Sequence, residues 1–269
     1  MSKHFVAGRP EPATQAASPS PWSPPPTWAG LASQVRDVID DLPRFPAAPL
    51  QRRWHQTWGA TQAEVAAEMP GDHLLPRAQY RCTRAITIGA SPEKVWPWLV
   101  QVGCLRGGWY ADDLLDNFAR PSVRRIVPEL QDLQVGQWLA WIPRPSERTA
   151  FVVDSFSRPS WLLWRSPNRT WAWRLTPRGS ERTRLITRMH TVYEWRRPLA
   201  LGTVLLMELA DYPMMRRMLL GIRERAEAEQ APARNLDDAY SAAEARCATC
   251  TQLVCRFGRI SKAQVSNKC

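Results

Sequence analysis

From Val135 to Trp195 apolar residues recur at every second position, and clusters of turn-forming residues cut this stretch into strand-like runs. The runs are Val135–Ile142, Ala150–Phe156, Trp161–Arg165, Thr170–Thr176 and Arg182–Trp195. Between them stand Pro143 to Ser146, Ser157 to Pro159, Ser166 to Asn168 and Pro177 to Ser180, rich in the residues that hairpin turns require. The pattern predicts a consecutive antiparallel meander.

Helical signals flank the meander. Upstream, Cys82, Arg84, Ile86 and Ile88 alternate with Thr83, Ala85 and Thr87 as in a half-buried strand. Ser91-Pro92 then opens a short helix that carries Val95, Trp96, Leu99 and Val100 and ends at Gly103. Cys104 to Leu133 is irregular, with a loop at Arg106 to Tyr110 and a helical turn at Asp112 to Phe118; Pro121 and Pro128 exclude a long helix there. Before the first strand, Gln51 to Met69 reads as two short helices broken at Gly59, the second opened by a Thr61/Glu64 capping box. Trp54, Trp58, Val65 and Met69 would hold this brace on the main domain. Downstream, Leu199 to Ala210 is apolar but too short to span a membrane. Pro213 to Gln230 is amphipathic, with Met214, Met218, Ile222 and Ala226 on one stripe and Met215 and Leu219 beside it.

The ends differ in composition. Residues 1–48 hold nine prolines and read as a disordered arm, with one helical candidate at Leu31 to Leu42. Residues 231–269 lose all periodicity and read as a poorly ordered tail. No apolar run near Met1 has the length of a signal peptide, so a cytoplasmic protein is expected. Six cysteines in 269 residues do not make a disulfide scaffold. The formal charge of +11 comes from arginines scattered over every segment, only four of the 36 basic residues being lysine. Without a basic stripe, no nucleic-acid partner is expected. Arg216, Arg217, Arg223 and Arg225 would give a basic helix face for weak contact with anionic membrane. The sequence does not reveal an oligomeric state.

Strand, short helix, irregular stretch, meander and long helix is the order of the helix-grip fold. Thr83 to Gly103 resembles the opening strand and helix of bacterial START/Bet v 1-like proteins, the SRPBCC superfamily. Gly107-Gly-Trp-Tyr110, Thr170 to Leu175, Thr183 to Arg188 and Met214 to Ile222 resemble an actinobacterial-type branch of it. The resemblance covers about Gln51 to Glu229 and implies an α+β helix-grip domain over residues 49–230. In it a curved antiparallel sheet wraps a long C-terminal helix, behind a helical N-terminal brace. It also implies a cavity for a hydrophobic small molecule of lipid, polyketide or aromatic type. Polyketide cyclases and dehydratases, and lipid-transfer modules, are the alternatives within the same superfamily. No universal catalytic residue transfers, and fold alone does not choose among these functions.

Alternation puts Trp171, Trp173 and Leu175 on one face of the meander, with Leu185, Thr187, Met189, Thr191 and Tyr193 on the matching face of the last strand. If that face is concave it lines a pocket of indoles, a thioether and hydroxyls; otherwise it fills a solid core. Trp109, Tyr110 and Asp113, beside the paired glycines, are candidates for the cavity mouth, the last two alternatively serving as lid and helix cap. Arg106 could fix an anionic head group, and Glu208 or Asp211 a polar one. His190 alternates away from Met189 and is expected on the solvent side. Cys247-Ala-Thr-Cys250, with Cys255 and Cys269, has two thiols at zinc-ligand spacing but no repeated pair, so no metal is assigned. Phosphate-loop, serine-hydrolase and zinc-protease motifs are absent, and no cofactor is expected.

Overall fold

A computed structural model describes residues 21–41, 51–104, 106–196 and 200–229. The chain divides into two units, Met1–Ala228 and Glu229–Cys269, and every described element belongs to the first. The proline-rich arm and the cysteine-containing tail fall mostly outside the described residues. Within the arm, α1 (Trp28–Asp41) starts three residues before the helix expected from sequence. Its Val35 and Ile39 are exposed, so the apolar stripe is not its buried face.

Six strands form one antiparallel sheet in the order β1-β6-β5-β4-β3-β2. They are β1 (Tyr80–Ile88), β2 (Trp138–Ala140), β3 (Ala150–Ser157), β4 (Trp161–Ser166), β5 (Arg169–Pro177) and β6 (Thr183–Thr191). β2 to β6 are the expected meander, and β1 closes it by pairing with β6. Two runs are shorter than the alternation implied. β6 stops at Thr191 because its partner β5 begins at Arg169, directly opposite. Beyond that point Trp195 is exposed. β2 is confined to three residues because β3 begins at Ala150, opposite Ala140.

Helices α4 (Pro92–Val100) and α7 (Asp211–Ala228) cover the inner face of the sheet. Ile86, Leu185, Leu175, Trp173 and Leu162 pack there with Val95, Trp96 and Leu99 of α4 and Leu219, Ile222 and Ala226 of α7. Each such side chain contributes about 1.5–3 kcal/mol by leaving water. The sheet grips its last long helix, and the architecture is the α+β helix-grip. That helix is continuous with α6 (Ala200–Leu205) through a π turn at Leu206–Ala210. Pro213 has no N–H for the preceding turn, and the wider π turn just before it accommodates the loss.

The outer face is buried as well. Ala85, Leu163, Ala172 and Ile186 form a second apolar cluster with Met69, joined by Leu74 and Trp161. The brace comprises α2 (Arg52–Gln56), whose Trp54 and His55 pack on Tyr212, and α3 (Gln62–Ala66), opened by the reciprocal Thr61/Glu64 capping box. Arg188, on the outer face of β6, closes the other end. Its guanidinium donates to the carbonyls of Glu64 (3.0 Å), Val65 (2.8 Å) and Ala67 (2.8 Å), to Asp72 Oδ2 (2.6 Å) and to Thr83 Oγ1 (2.9 Å). The last carbonyls of a helix have no partner within it, and one arginine satisfies them here. His190 therefore does not face solvent as the alternation implied. It is buried beneath the brace, 3.9 Å from Asp72, and burial lowers its pKa.

Arg188→Met should leave three carbonyls and a carboxylate without their donor, costing about 3 kcal/mol or more. Hydrogen exchange is expected to show residues 61–74 losing protection while β5 keeps it; unchanged protection of the brace would contradict the clamp.

Candidate functional site

Sequence after α4 builds the wall of a cavity. Gly103 and Gly108 exchange backbone hydrogen bonds, and Gly108 adopts φ 85°, where a Cβ would stand 2.2 Å from Ser122 Oγ. Only glycine lets the two segments close at this point. The closure sends Trp109 inward, stacked on Trp171 at 6.1 Å and 12°. Tyr110 follows at φ 57°, its N–H on Ser122 Oγ (3.0 Å) and its hydroxyl donating to the Trp98 carbonyl (3.1 Å). The one-turn helix α5 (Asp113–Asp116) comes next, and Asp113 accepts from both the N–H and the hydroxyl of Ser122. Phe118 and Ala119, also left-handed, end the segment.

Across from this wall, α7 approaches closely through Gly221, where a Cβ would lie 2.3 Å from the Tyr110 carbonyl. Between them remains a cavity of about 230 Å³. Its lining comprises the indoles of Trp109, Trp141 and Trp171, the thioethers of Met189, Met207, Met214, Met215 and Met218, and Ala111. Leu115, Phe118 and Ile142, all exposed, mark its rim. Five of the seven methionines in the chain meet here. The border with the solid part of the core is Trp171 Nε1, which donates to Thr187 Oγ1 at 2.8 Å.

Two carboxyls belong to the lining, and their circumstances are opposite. Asp211 is satisfied: its Oδ2 accepts from Arg84 Nη1 at 2.6 Å and from the Tyr80 hydroxyl at 2.7 Å. Arg84 is fully buried and also donates to the His55 carbonyl at 2.7 Å. Burial is the largest single influence and opposes its charge, but Asp211, Cys82 and Tyr80 together hold the guanidinium above its ordinary pKa. Asp116 is different. Both of its oxygens are closed to water and lack a hydrogen-bond partner among the described residues. Burial first, then the charges of Asp113 and Asp112, keep its carboxyl protonated well above the usual carboxylate range. The nearby backbone N–H groups of Asp112 and Asp116, which do not form hydrogen bonds to it, offset only part of this.

The sequence candidates separate into three groups. Trp109, Trp171 and Met189 line the cavity. Trp173 and Leu175 lie further along the same face in solid core, and Thr187 and Thr191 are buried at hydrogen-bonding positions, Thr191 facing Met207 Sδ at 3.9 Å. Tyr110 and Asp113 do not line the cavity but fasten its wall, and Tyr193 donates to Glu208 Oε1 at 3.2 Å. Glu208 is also paired with Arg52. Arg106 donates through Nη2 to the Val100 and Leu130 carbonyls. Of the four arginines expected to form a basic face on α7, three make contacts within the fold. Arg216 covers Trp58, Arg217 pairs with Asp37 and Asp112, and Arg225 lies 4.4 Å from the Tyr110 ring centre. Cys247, Cys250, Cys255 and Cys269 lie outside the described residues. Sequence reasoning missed Asp116, Trp141 and Met207. A carboxylate in the apolar turn Asp113-Leu-Leu-Asp116 was the one available signal for the first.

No protein-family model and no curated protein matches the chain. Solved structures do. A polyketide cyclase-like protein from Corynebacterium glutamicum is 15% identical with a TM-score of 0.37, over 56% of this chain and 93% of that one. A self-sacrificing resistance protein from Micromonospora echinospora is 13% identical with a TM-score of 0.37, over 55% and 95%. A START superfamily protein from Mycobacterium smegmatis is 10% identical with a TM-score of 0.32, over 55% and 97%. Among the described residues no helix is long and apolar enough to cross a membrane.

A raised carboxyl pKa makes Asp116 favourable to folding while protonated, and that contribution is lost as pH rises through the folded-state pKa. Asp116→Asn should therefore match the wild type in acid and exceed it in Tm towards neutral and alkaline pH. A difference in Tm that does not change with pH would count against the buried, unpaired acid.

Proposed function

We propose that the protein binds a small hydrophobic molecule of one or two rings in the cavity between the wall at residues 109–118, the sheet and α7. The observation that carries this reading is the convergence of five methionines and three tryptophans on one hollow, while the rest of the same sheet face is densely packed. Close packing is the rule in protein interiors, so a void flanked by aromatic and adaptable thioether groups has the character of a binding site.

Volume narrows the ligand. A cavity of roughly 150 Å³ suffices for benzene, and this one is about 230 Å³. It suits a compact aromatic molecule better than a diacyl lipid or an extended polyketide chain. A cyclase or dehydratase role receives less support. Such chemistry calls for an acid and a base reaching one substrate. Here Asp116 lines the cavity, but among the described residues no base joins it: Asp211 is held by Arg84, and His190 lies on the opposite face of the sheet.

Calorimetric titration with 1-naphthylmethanol should give one site with Kd on the order of 10 μM. Ala111→Phe, which adds a ring to the cavity wall, should weaken it by about tenfold or more. Native mass spectrometry of freshly purified protein is expected to show a co-purified apolar mass that the probe displaces. Absence of both probe binding and any co-purified ligand would remove the proposal.

A further inference from the structure

Asp116 lines the cavity, and neither of its carboxyl oxygens has a hydrogen-bond partner among the described residues, whereas several other inward-facing charges are paired. Arg84 meets Asp211, Arg184 meets Glu64, and Arg188 meets Asp72. We propose, on the basis of the binding reading above, that the ligand is a hydrophobic amine whose ammonium group becomes the counter-charge of Asp116.

Three observations favour a cation over a neutral hydrogen-bond acceptor. First, the charges with the largest influence on Asp116 are negative, those of Asp113 and Asp112 on its own turn. A carbonyl oxygen brought there would meet that field with its lone pairs; an ammonium would be attracted. Second, Trp109 and Trp171 border the same cavity, and indole faces attract cations. Third, the cations of neighbouring elements are engaged elsewhere. Arg217 of α7 lies 3.3 Å from Asp112 and also meets Asp37 of α1. Arg225 donates to the Val123 carbonyl and covers Tyr110, Arg84 holds Asp211, and Arg169 lies over Trp141. The remaining titratable neighbour is the buried Cys104 thiol, pushed up to about 11 by burial and then by Asp116 itself.

The oxygens of Asp116 are closed to water. An ammonium reaches them as the lining yields, which unbranched methionine side chains do at low cost. Wherever the raised pKa leaves the acid neutral before binding, each ammonium that binds releases one proton from Asp116 to solvent.

The test compares 1-naphthylmethylammonium with 1-naphthylmethanol on the full chain. Over roughly pH 5 to 8, where an aliphatic ammonium stays charged, affinity for the amine should rise about tenfold per pH unit until Asp116 is ionised. Calorimetry in buffers of different ionisation enthalpy should record one proton released. The alcohol should show no such slope and no proton release. Asp116→Asn should weaken the amine by on the order of a hundredfold and remove its pH slope and its proton release. The wild-type slopes need no variant, so a poorly folding Asp116→Asn would not shield the proposal. If both probes bind with equal, pH-independent affinity, the amine inference falls while hydrophobic binding stands. An affinity for the alcohol that declines as pH rises would mean that Asp116 donates as a neutral acid, and would also overturn it. If neither probe binds, both readings fail together.

Discussion

The arrangement depends on one buried ion pair. Arg84 lies on the first strand and Asp211 at the start of the long helix, 127 residues apart, and they meet at 2.6 Å with Tyr80 as a third member. Replacing such a pair by well-packed apolar groups is often neutral for stability, whereas removing one partner costs about 3–5 kcal/mol. Its value here lies in position. Arg84 also holds the His55 carbonyl, and His55 stacks on Tyr212 at 3.9 Å, so the pair fixes strand, helix and brace relative to one another. A slip of the helix along the sheet would break all of these contacts at once. The cavity, whose lining includes Asp211, takes its shape from that register.

The same face of the sheet is solid at one end and hollow at the other, and side-chain type follows the division. Leu175, Leu185, Ile86 and Trp173 meet Leu219, Ile222 and Ala226 where the core is filled. Towards Met189 and Trp171 the facing residues become Met207, Met214, Met215 and Met218. Branched aliphatic side chains have few rotamers and specify one packing; methionine tolerates several. Three left-handed residues that are not glycine, Tyr110, Phe118 and Ala119, lie in the segment that walls off the hollow end. Each carries a conformational cost that the surrounding hydrogen bonds to Ser122 and Asp113 offset.

Much of this was legible in the residues. Period-two alternation gave the meander, the Thr61/Glu64 box gave α3, and the methionine stripe gave the inward face of α7, because each depends on local spacing. What escaped depends on neighbours distant in sequence. His190 reads as exposed because alternation assigns it to the outer face, and nothing near it announces that residues 61–74 fold back over that face. Asp113 and Asp116 are indistinguishable on paper. Ser122 satisfies one and no described residue satisfies the other, a difference created by chain closure at Gly108. The contacts of Arg106, Arg216, Arg217 and Arg225 are equally invisible to local spacing, because they are with backbone carbonyls, aromatic rings and aspartates from other segments.

The aromatic residues around the hollow are also a single optical object. Trp109, Trp141, Trp164, Trp171 and Trp173 are linked by ring contacts of 5.1 to 6.5 Å. At such separations the transition dipoles of indoles couple, and excitation passes readily from one ring to the next. Near-ultraviolet circular dichroism and intrinsic emission of the folded chain will therefore be weighted towards this cluster over the remaining nine of the 14 tryptophans. The cavity thus carries its own chromophores, and a change in its contents alters the light absorbed and emitted without any attached label.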